Sequence, residues 1–232
     1  MSLRLTRLGL QAPASNVAQC RAEFLAQRCA YLPGFLEHAL LQYLLRHIAG
    51  AQFILKNEID TQAGTFGQTL FVPLNEPAWF LLHRWLNQPA MFQLIAEITG
   101  CALPQNFFGR IHRSLPGAAE QRIDWHRDTG DHRLTGFWLN LSKAPWCGGL
   151  FQLREHGAPD LLAEIGGETA PGDAFLFSLA PELEHRATPV TAGGARTVGV
   201  GWFRAQPDQH TFASTYFPAF GPTARTVRRA EH

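Results

Sequence analysis

Apolar positions in the first hundred residues recur at the three-to-four-residue spacing of helices. Residues 17 to 30 read as an amphipathic helix, with Ser15 or Asn16 as its cap. After Leu32-Pro33-Gly34 a second helix is expected from about Phe35 to Ile48, stopping at Gly50. A third, from Pro77 to Thr99, should break at Asn87-Gln88-Pro89, because proline disfavours helical backbone in the residue before it. Between the second and third helices lies a polar stretch, Asn57–Leu70, containing Gly64 and Gly67. It is expected to be irregular or stranded, a place for a substrate-covering loop with no readable specificity code.

Near residue 103 the period changes from helical to alternating. Short runs rich in aromatic and β-branched residues follow: Asn106–His112, Leu134–Leu141, Leu150–Arg154, Ala174–Ser178, Arg186–Val190 and Arg196–Phe203. Turn chemistry separates them at Pro116-Gly117, Cys147-Gly148-Gly149, Pro171-Gly172-Asp173 and Gly193-Gly194. Many short strands at this spacing predict a sandwich or a jelly roll. The chain is therefore expected to be a single catalytic domain, mainly β with N-terminal helices. Residues 1–104 form a largely helical support, 105–204 the β core and 205–232 a C-terminal extension.

Composition changes this picture little. Hydrophobic residues make up 46% and charged residues 17%, an ordinary globular balance. A net charge of +1 gives no field to collect nucleic acid or an anionic membrane, and no apolar run approaches the ~20 residues of a membrane span. Arg225, Arg228 and Arg229 read as a solvated tail. The N-terminus lacks the features of a signal peptide, and Cys20, Cys29, Cys101 and Cys147 form no close pair. A cytoplasmic protein with reduced thiols is expected.

The candidate chemistry begins at Trp125-His126-Arg127-Asp128. Side chains two apart on a strand leave the same face, so His126 and Asp128 can address one metal ion. Imidazole and carboxylate suit iron(II), and a third imidazole, His185, would complete a facial set with open positions. Taken alone, His-x-Asp is a weak signal. Arg196 strengthens it, because it opens an otherwise apolar run, Arg196–Phe203. If Gly193-Gly194 makes a two-residue hairpin, His185 lies opposite Trp202 and shares a face with Arg196, Val198 and Val200. A buried guanidinium needs an anion, and a dicarboxylate cosubstrate would supply one. The alternative is that Arg196 ends a strand and reaches water.

The ordered set His126-x-Asp128, Cys147-Gly148-Gly149-Leu150-Phe151, Pro171-Gly172-Asp173-Ala174-Phe175-Leu176-Phe177, His185-Arg186-Ala187-Thr188-Pro189-Val190 and Arg196 resembles the 2-oxoglutarate/Fe(II)-dependent dioxygenase superfamily, especially its prolyl-hydroxylase-like branch. The likeness spans about residues 105 to 204. It implies a double-stranded β-helix (jelly roll) buttressed by helices, with Fe(II), 2-oxoglutarate and O₂ as cofactor and cosubstrates. The resemblance also implies that His126, Asp128 and His185 are the catalytic metal ligands, and that Arg196 binds the far carboxylate of 2-oxoglutarate. Prolyl 4-hydroxylases proper usually carry lysine there, so Arg196 departs from that subgroup. Aspartate at 128, where the family's halogenases have a small residue, points to hydroxylation of a peptide, amino acid or small metabolite. Two alternatives are a cupin-like metal-dependent isomerase or lyase and a non-enzymatic jelly-roll binding protein. A cupin has no use for a buried guanidinium at this place.

Neighbouring residues sort by the same spacing arguments. Gly130 should turn His132 off the face of His126 and Asp128, while His112, His156 and His210 lack a second ligand at strand spacing. Asp173 reads as a turn residue, and Gly148-Gly149 as backbone permissiveness. Arg110 shares a strand face with His112 and is a candidate substrate or cosubstrate contact. Trp138 and Asn140, on one face of the next strand, are comparable candidates for substrate binding.

Overall fold

A computed structural model of the protein describes residues 3–60, 64–73, 75–130 and 132–206. The chain opens with two short strands, β1 (Arg4–Thr6) and β2 (Gly9–Gln11), and enters helix α1 (Ala14–Gln27). This helix starts earlier than its apolar pattern predicts. Pro13 occupies the cap position without a side-chain hydrogen bond, so Ser15 and Asn16 lie in the first turn and cap nothing. It ends earlier too, at Arg28 in left-handed backbone (φ 62°). Cys29–Leu32 then runs as strand β3, paired with Ala174–Phe177. Helix α2 (His38–Gly50) begins three residues after the expected start and stops where expected. Strands β4 (Ile54–Asp60) and β5 (Gly64–Phe71) pair antiparallel across the polar stretch. The next two helices, α3 (Pro77–Leu86) and α4 (Pro89–Thr99), divide at the expected proline break, each with proline in its first turn.

Ten strands follow: β6 (Asn106–Ser114), β7 (Ile123–His126), β8 (Arg133–Asn140), β9 (Trp146–Gly148), β10 (Phe151–Glu155), β11 (Leu161–Ile165), β12 (Ala174–Ser178), β13 (Leu183–Ala187), β14 (Val190–Gly193) and β15 (Arg196–Arg204). Eleven strands form one sheet in the order β11-β10-β13-β7-β5-β6-β15-β8-β12-β3, with β4 added on β5. Three of these strands come from before residue 105, so the first part of the chain is not helical support alone.

The sheet curls until its distant strands face one another. Phe151 on β10 packs its ring 5.3 Å from Phe175 and 4.7 Å from Phe177, both on β12. His185 on β13 lies 5.0 Å from Phe177. This nearly closed, barrel-like sheet buttressed by helices is a jelly roll, as the strand pattern and the resemblance led one to expect.

Strand parity explains why two cores arise. Phe107, Ile111, Phe137, Leu139 and Phe203 face outward and join Trp79, Leu82, Leu44 and Ile95 of the helices. The intervening Trp138 and Val198 face inward and join Phe151, Leu153, Phe175 and Phe177. Each large side chain removed from water contributes about 1.5–3 kcal/mol. Because β8 and β15 are covered on both faces, they read as apolar runs rather than alternating ones.

One expected register is overturned. Gly193-Gly194 does not fold His185 back onto Trp202. Strand β13 pairs with β10 and β7, whereas β15 pairs with β6 and β8. The expected strand Arg186–Val190 breaks because Pro189 has no N–H to continue a ladder. Thr188 N–H still reaches Leu150 O at 2.9 Å, and β14 then pairs with β9. Residues 207–232, which include His210 and the tail arginines, lie outside the described residues.

Candidate metal centre

His126 is the last residue of β7 and stands directly across from His185 on β13. Asp128 follows two positions later, beyond the strand end, as the chain begins the turn towards β8. Adjacent antiparallel strands thus bring together two residues far apart in sequence, their rings 4.2 Å apart. Asp128 Oδ2 lies 3.8 Å from His126 Nε2 and 3.3 Å from His185 Nε2. One donor atom from each of the three residues falls within 4.8 Å of the others, the spacing of ligands around a single ion.

Surrounding groups hold these donors in a metal-ready state. His126 Nδ1 sits 2.8 Å from the carbonyl of Asp124, so this nitrogen carries the proton and leaves the Nε2 lone pair facing the centre. Burial, and then the charge at His185, push His126 down to about 4 against the opposing pull of Asp128, so its imidazole is neutral at physiological pH. Burial alone would raise the Asp128 carboxyl. Hydrogen bonding and charge at His185, with His126 and Arg133, instead hold it well below the usual carboxylate range. Asp128 also accepts hydrogen bonds from Arg133 Nη1 to Oδ1 (2.5 Å) and from Trp202 Nε1 to Oδ2 (2.8 Å). The Arg133 guanidinium lies 3.8 Å over the Trp202 ring, so the two supports lock each other.

The centre opens into a cavity of about 740 Å³, within the range for small-molecule sites. Arg196 lines it from the start of β15, fully buried. Burial lowers its pKa to about 10, so it remains a cation at pH 7. No described residue offers it a carboxylate, and its Nε has no hydrogen-bond partner among them. Arg196 therefore does not end its strand in water. Gly149 makes room for it: in left-handed backbone (φ 59°), a Cβ there would come within 2.9 Å of Arg196 Cδ. Trp138 Nε1 and His112 Nε2 are two further buried groups on the cavity wall without a partner among the described residues.

Other expected site residues divide clearly. Arg110 and Trp138 line the cavity. Asn140 shares the Trp138 face but does not line the cavity, because the local backbone consumes its amide. Its Nδ2 donates to Thr169 O (2.8 Å), and its Oδ1 accepts from Ser142 N–H (2.8 Å). His132 is exposed in left-handed backbone (φ 58°) and outside the three-residue cluster. Asparagine tolerates that backbone, so His132→Asn is expected to leave metal stoichiometry unchanged, as measured by elemental analysis of the purified protein. Loss of metal from a folded His132→Asn protein would contradict this ligand set. Asp173 has a structural role, accepting from Tyr31 Oη and from the N–H groups of Gly34 and Ala170. His156 pairs with Glu184 at 2.7 Å, away from the cluster.

Sequence reasoning missed Arg133 and the role of Trp202. Their only signals were a cation opening an apolar strand and an indole that could have been core.

No protein-family model matches this sequence, nor does any curated protein. Solved structures do match, across most of the chain. An oxidoreductase of the 2OG-Fe(II) oxygenase family from Burkholderia pseudomallei superposes with a TM-score of 0.61 at 17% identity, covering 84% of this chain and 94% of its own. A prolyl hydroxylase from Trichoplax adhaerens, in complex with a hypoxia inducible factor oxygen degradation domain peptide fragment, gives 0.54 at 12% identity, with coverage of 83% and 94%. The non-heme alpha-ketoglutarate-dependent epimerase SnoN from nogalamycin biosynthesis gives 0.51 at 13% identity, with coverage of 82% and 84%. The fold is that of the 2-oxoglutarate/Fe(II) oxygenases, prolyl hydroxylases included, as the motif resemblance implied.

Proposed function

We propose that this protein is an Fe(II)- and 2-oxoglutarate-dependent oxygenase acting on a peptide, amino acid or small metabolite. The observation that carries this reading is Arg196: a buried, charged guanidinium without an anion, facing the same cavity as His126, Asp128 and His185. A buried cation left unpaired costs stability, so a site built this way is suited to an anionic ligand. A carboxylate fits the guanidinium fork by two parallel hydrogen bonds.

His126, Asp128 and His185 would hold the iron, whose two-nitrogen, one-oxygen donor set leaves positions for cosubstrate and oxygen. With Fe(II), 2-oxoglutarate and O₂ held there, the centre would supply the oxidising power for the substrate, with succinate and CO₂ as the coproducts. The chain's own residues bind and orient. Arg196 takes the far carboxylate, and Trp138 Nε1 is a second donor for a ligand oxygen in the cavity. Arg133 and Trp202 fix the Asp128 carboxylate by occupying both of its oxygens. Phe151 and Phe177 pack around His185 and keep bulk water from that side.

Hydroxylation is the expected outcome, because Asp128 fills the carboxylate position that a halide would otherwise need. With a turned-over substrate, succinate should form in step with a product heavier by one oxygen, carrying label from ¹⁸O₂ and no chlorine even in high chloride. Succinate formation with an unlabelled product would overturn hydroxylation and favour another oxidation on the same fold. A chlorinated product would contradict the role given to Asp128.

A further inference from the structure

Arg196 is not the only cation in the cavity without an anion against it. Arg110 projects from β6 into the same space, with its guanidinium over the Phe71 ring at 5.2 Å. It makes no hydrogen bond or ion pair within 4.0 Å to any described residue. The acid that influences it is Glu58 on β4, whose carboxylate is already engaged by Lys56 Nζ (2.8 Å) and Thr69 Oγ1 (2.8 Å).

Two positions along the same face, His112 presents a buried Nε2 that also lacks a partner. Burial holds this imidazole neutral, pushing it down to about 3, so it serves as a hydrogen-bonding group and not a second charge.

The register separates this place from that of Arg196. Along the paired strands, Ser114 faces Arg196, His112 faces Val198, Arg110 faces Val200 and Phe108 faces Trp202. Arg110 and Arg196 are thus four residues apart along the ladder, about 13 Å of backbone. Neither contributes to the other's lowered pKa: burial alone acts on Arg196, and burial opposed by Glu58 acts on Arg110. Both act on His112, which lies between them, but neither acts on the other, and with the four-residue separation each is placed for an anion of its own. Along the ladder Arg110 lies two positions from the Trp202 pair and Arg196 six, so Arg110 is the nearer of the two to the indole that donates to Asp128.

Charge then narrows the ligand. Lys56 and Glu58 offset each other, and Arg186, which also lines the cavity, is held by Gln152 and the Trp125 ring, so Arg110 is the cation on this face left for a single carboxylate. Arg127 at the mouth is exposed, and its field is screened by water.

We propose that Arg110, with His112 beside it, binds the carboxylate of the prime substrate, so that the substrate is a small carboxylic acid rather than an internal residue of a peptide. The inference rests on the oxygenase reading, in which Arg196 is occupied by 2-oxoglutarate.

The test is anaerobic equilibrium dialysis of Fe(II)-loaded protein at saturating 2-oxoglutarate, with phenylacetate and N-acetylglycine each compared with its amide, and with phenyl phosphate. A charge-assisted pair contributes enough for each acid to bind roughly tenfold or more tightly than its amide. Arg110→Met should bring the acids down to the level of the amides with 2-oxoglutarate affinity kept. Arg110→Lys, which retains the cation, should keep part of the preference, so that a folding defect in the methionine variant does not decide the outcome. Three results overturn the proposal: no binding of either acid, acids no tighter than amides, or a preference that survives Arg110→Met. Tighter binding of phenyl phosphate than phenylacetate overturns the carboxylate in favour of a phosphate ester. If the unmutated protein fails to bind 2-oxoglutarate, the oxygenase reading falls. The acid-against-amide comparison without 2-oxoglutarate then still reports on Arg110.

Discussion

His185→Ala is expected to abolish stoichiometric Fe(II) binding and all turnover while the protein stays folded. Removing a ligand costs more than the 10–100-fold that loss of a supporting contact costs, because one of only three donors disappears. Survival of the fold follows from where the imidazole sits. It packs against Phe151 and Phe177, at 5.6 and 5.0 Å, within a core that also holds Trp138, Leu153, Phe175 and Val198. Truncation leaves a small void costing about 1–3 kcal/mol, which lowers the melting temperature but does not unfold a domain of this size. Metal content by elemental analysis and far-ultraviolet circular dichroism separate these outcomes. His126→Ala should behave alike, since its Nε2 faces the same point. Full activity in a metal-replete His185→Ala protein would refute the ligand assignment.

Arg196→Met should have opposite effects on ligand affinity and on stability. Deleting one partner of a buried charge pair costs about 3–5 kcal/mol, or roughly two to three and a half decades in affinity. Affinity for 2-oxoglutarate is expected to fall by that much while Fe(II) still binds, since Arg196 is not among the three converging donors. In the ligand-free protein, however, no described residue pairs with the guanidinium, so the wild-type chain carries the cost of an unpaired buried charge. Methionine fills similar volume without it. The melting temperature of ligand-free Arg196→Met should therefore match or exceed that of the wild type, whereas added 2-oxoglutarate should stabilise only the wild type. Calorimetry for affinity and thermal unfolding for stability read the two effects separately. A destabilised variant with unchanged 2-oxoglutarate affinity would reduce Arg196 to a structural residue.

Much of this arrangement was legible in the sequence, where local chemistry decides local structure. The break between α3 and α4 follows from one proline, and the jelly-roll strands follow from short apolar runs between glycine-rich turns. His126 and Asp128 announce themselves by spacing, and Arg196 by its apolar surroundings. The illegible parts depend on which strands become neighbours. The sequence proximity of β13 and β15 suggested a hairpin, but Pro189 interrupts the ladder and β7 pairs with β13 instead. The cavity survives this change of partner because strand parity alone keeps Arg196, Val198 and Val200 on one face. Asn140 could not be separated from Trp138 by parity, since its fate depends on a loop carbonyl at Thr169. Arg133 and Trp202 meet Asp128 only because β8 and β15 lie side by side. The polar stretch became a hairpin whose Lys56, Glu58, Gln68 and Thr69 wall the cavity, close to where a covering segment was expected. Gly67 has a job that only the fold reveals: a Cβ there would overlap Arg122 O at 1.7 Å, where β5 meets β7.

In the proposed function His126, Asp128, His185 and Arg196 form one site for Fe(II) and 2-oxoglutarate. Anaerobic titration of 2-oxoglutarate into Fe(II)-loaded protein, followed by calorimetry, tests it most directly. Saturation is expected at one equivalent, with binding that weakens sharply when the metal is removed and loss of that metal dependence in His185→Ala. No binding, or binding of equal strength with and without the metal, would contradict it.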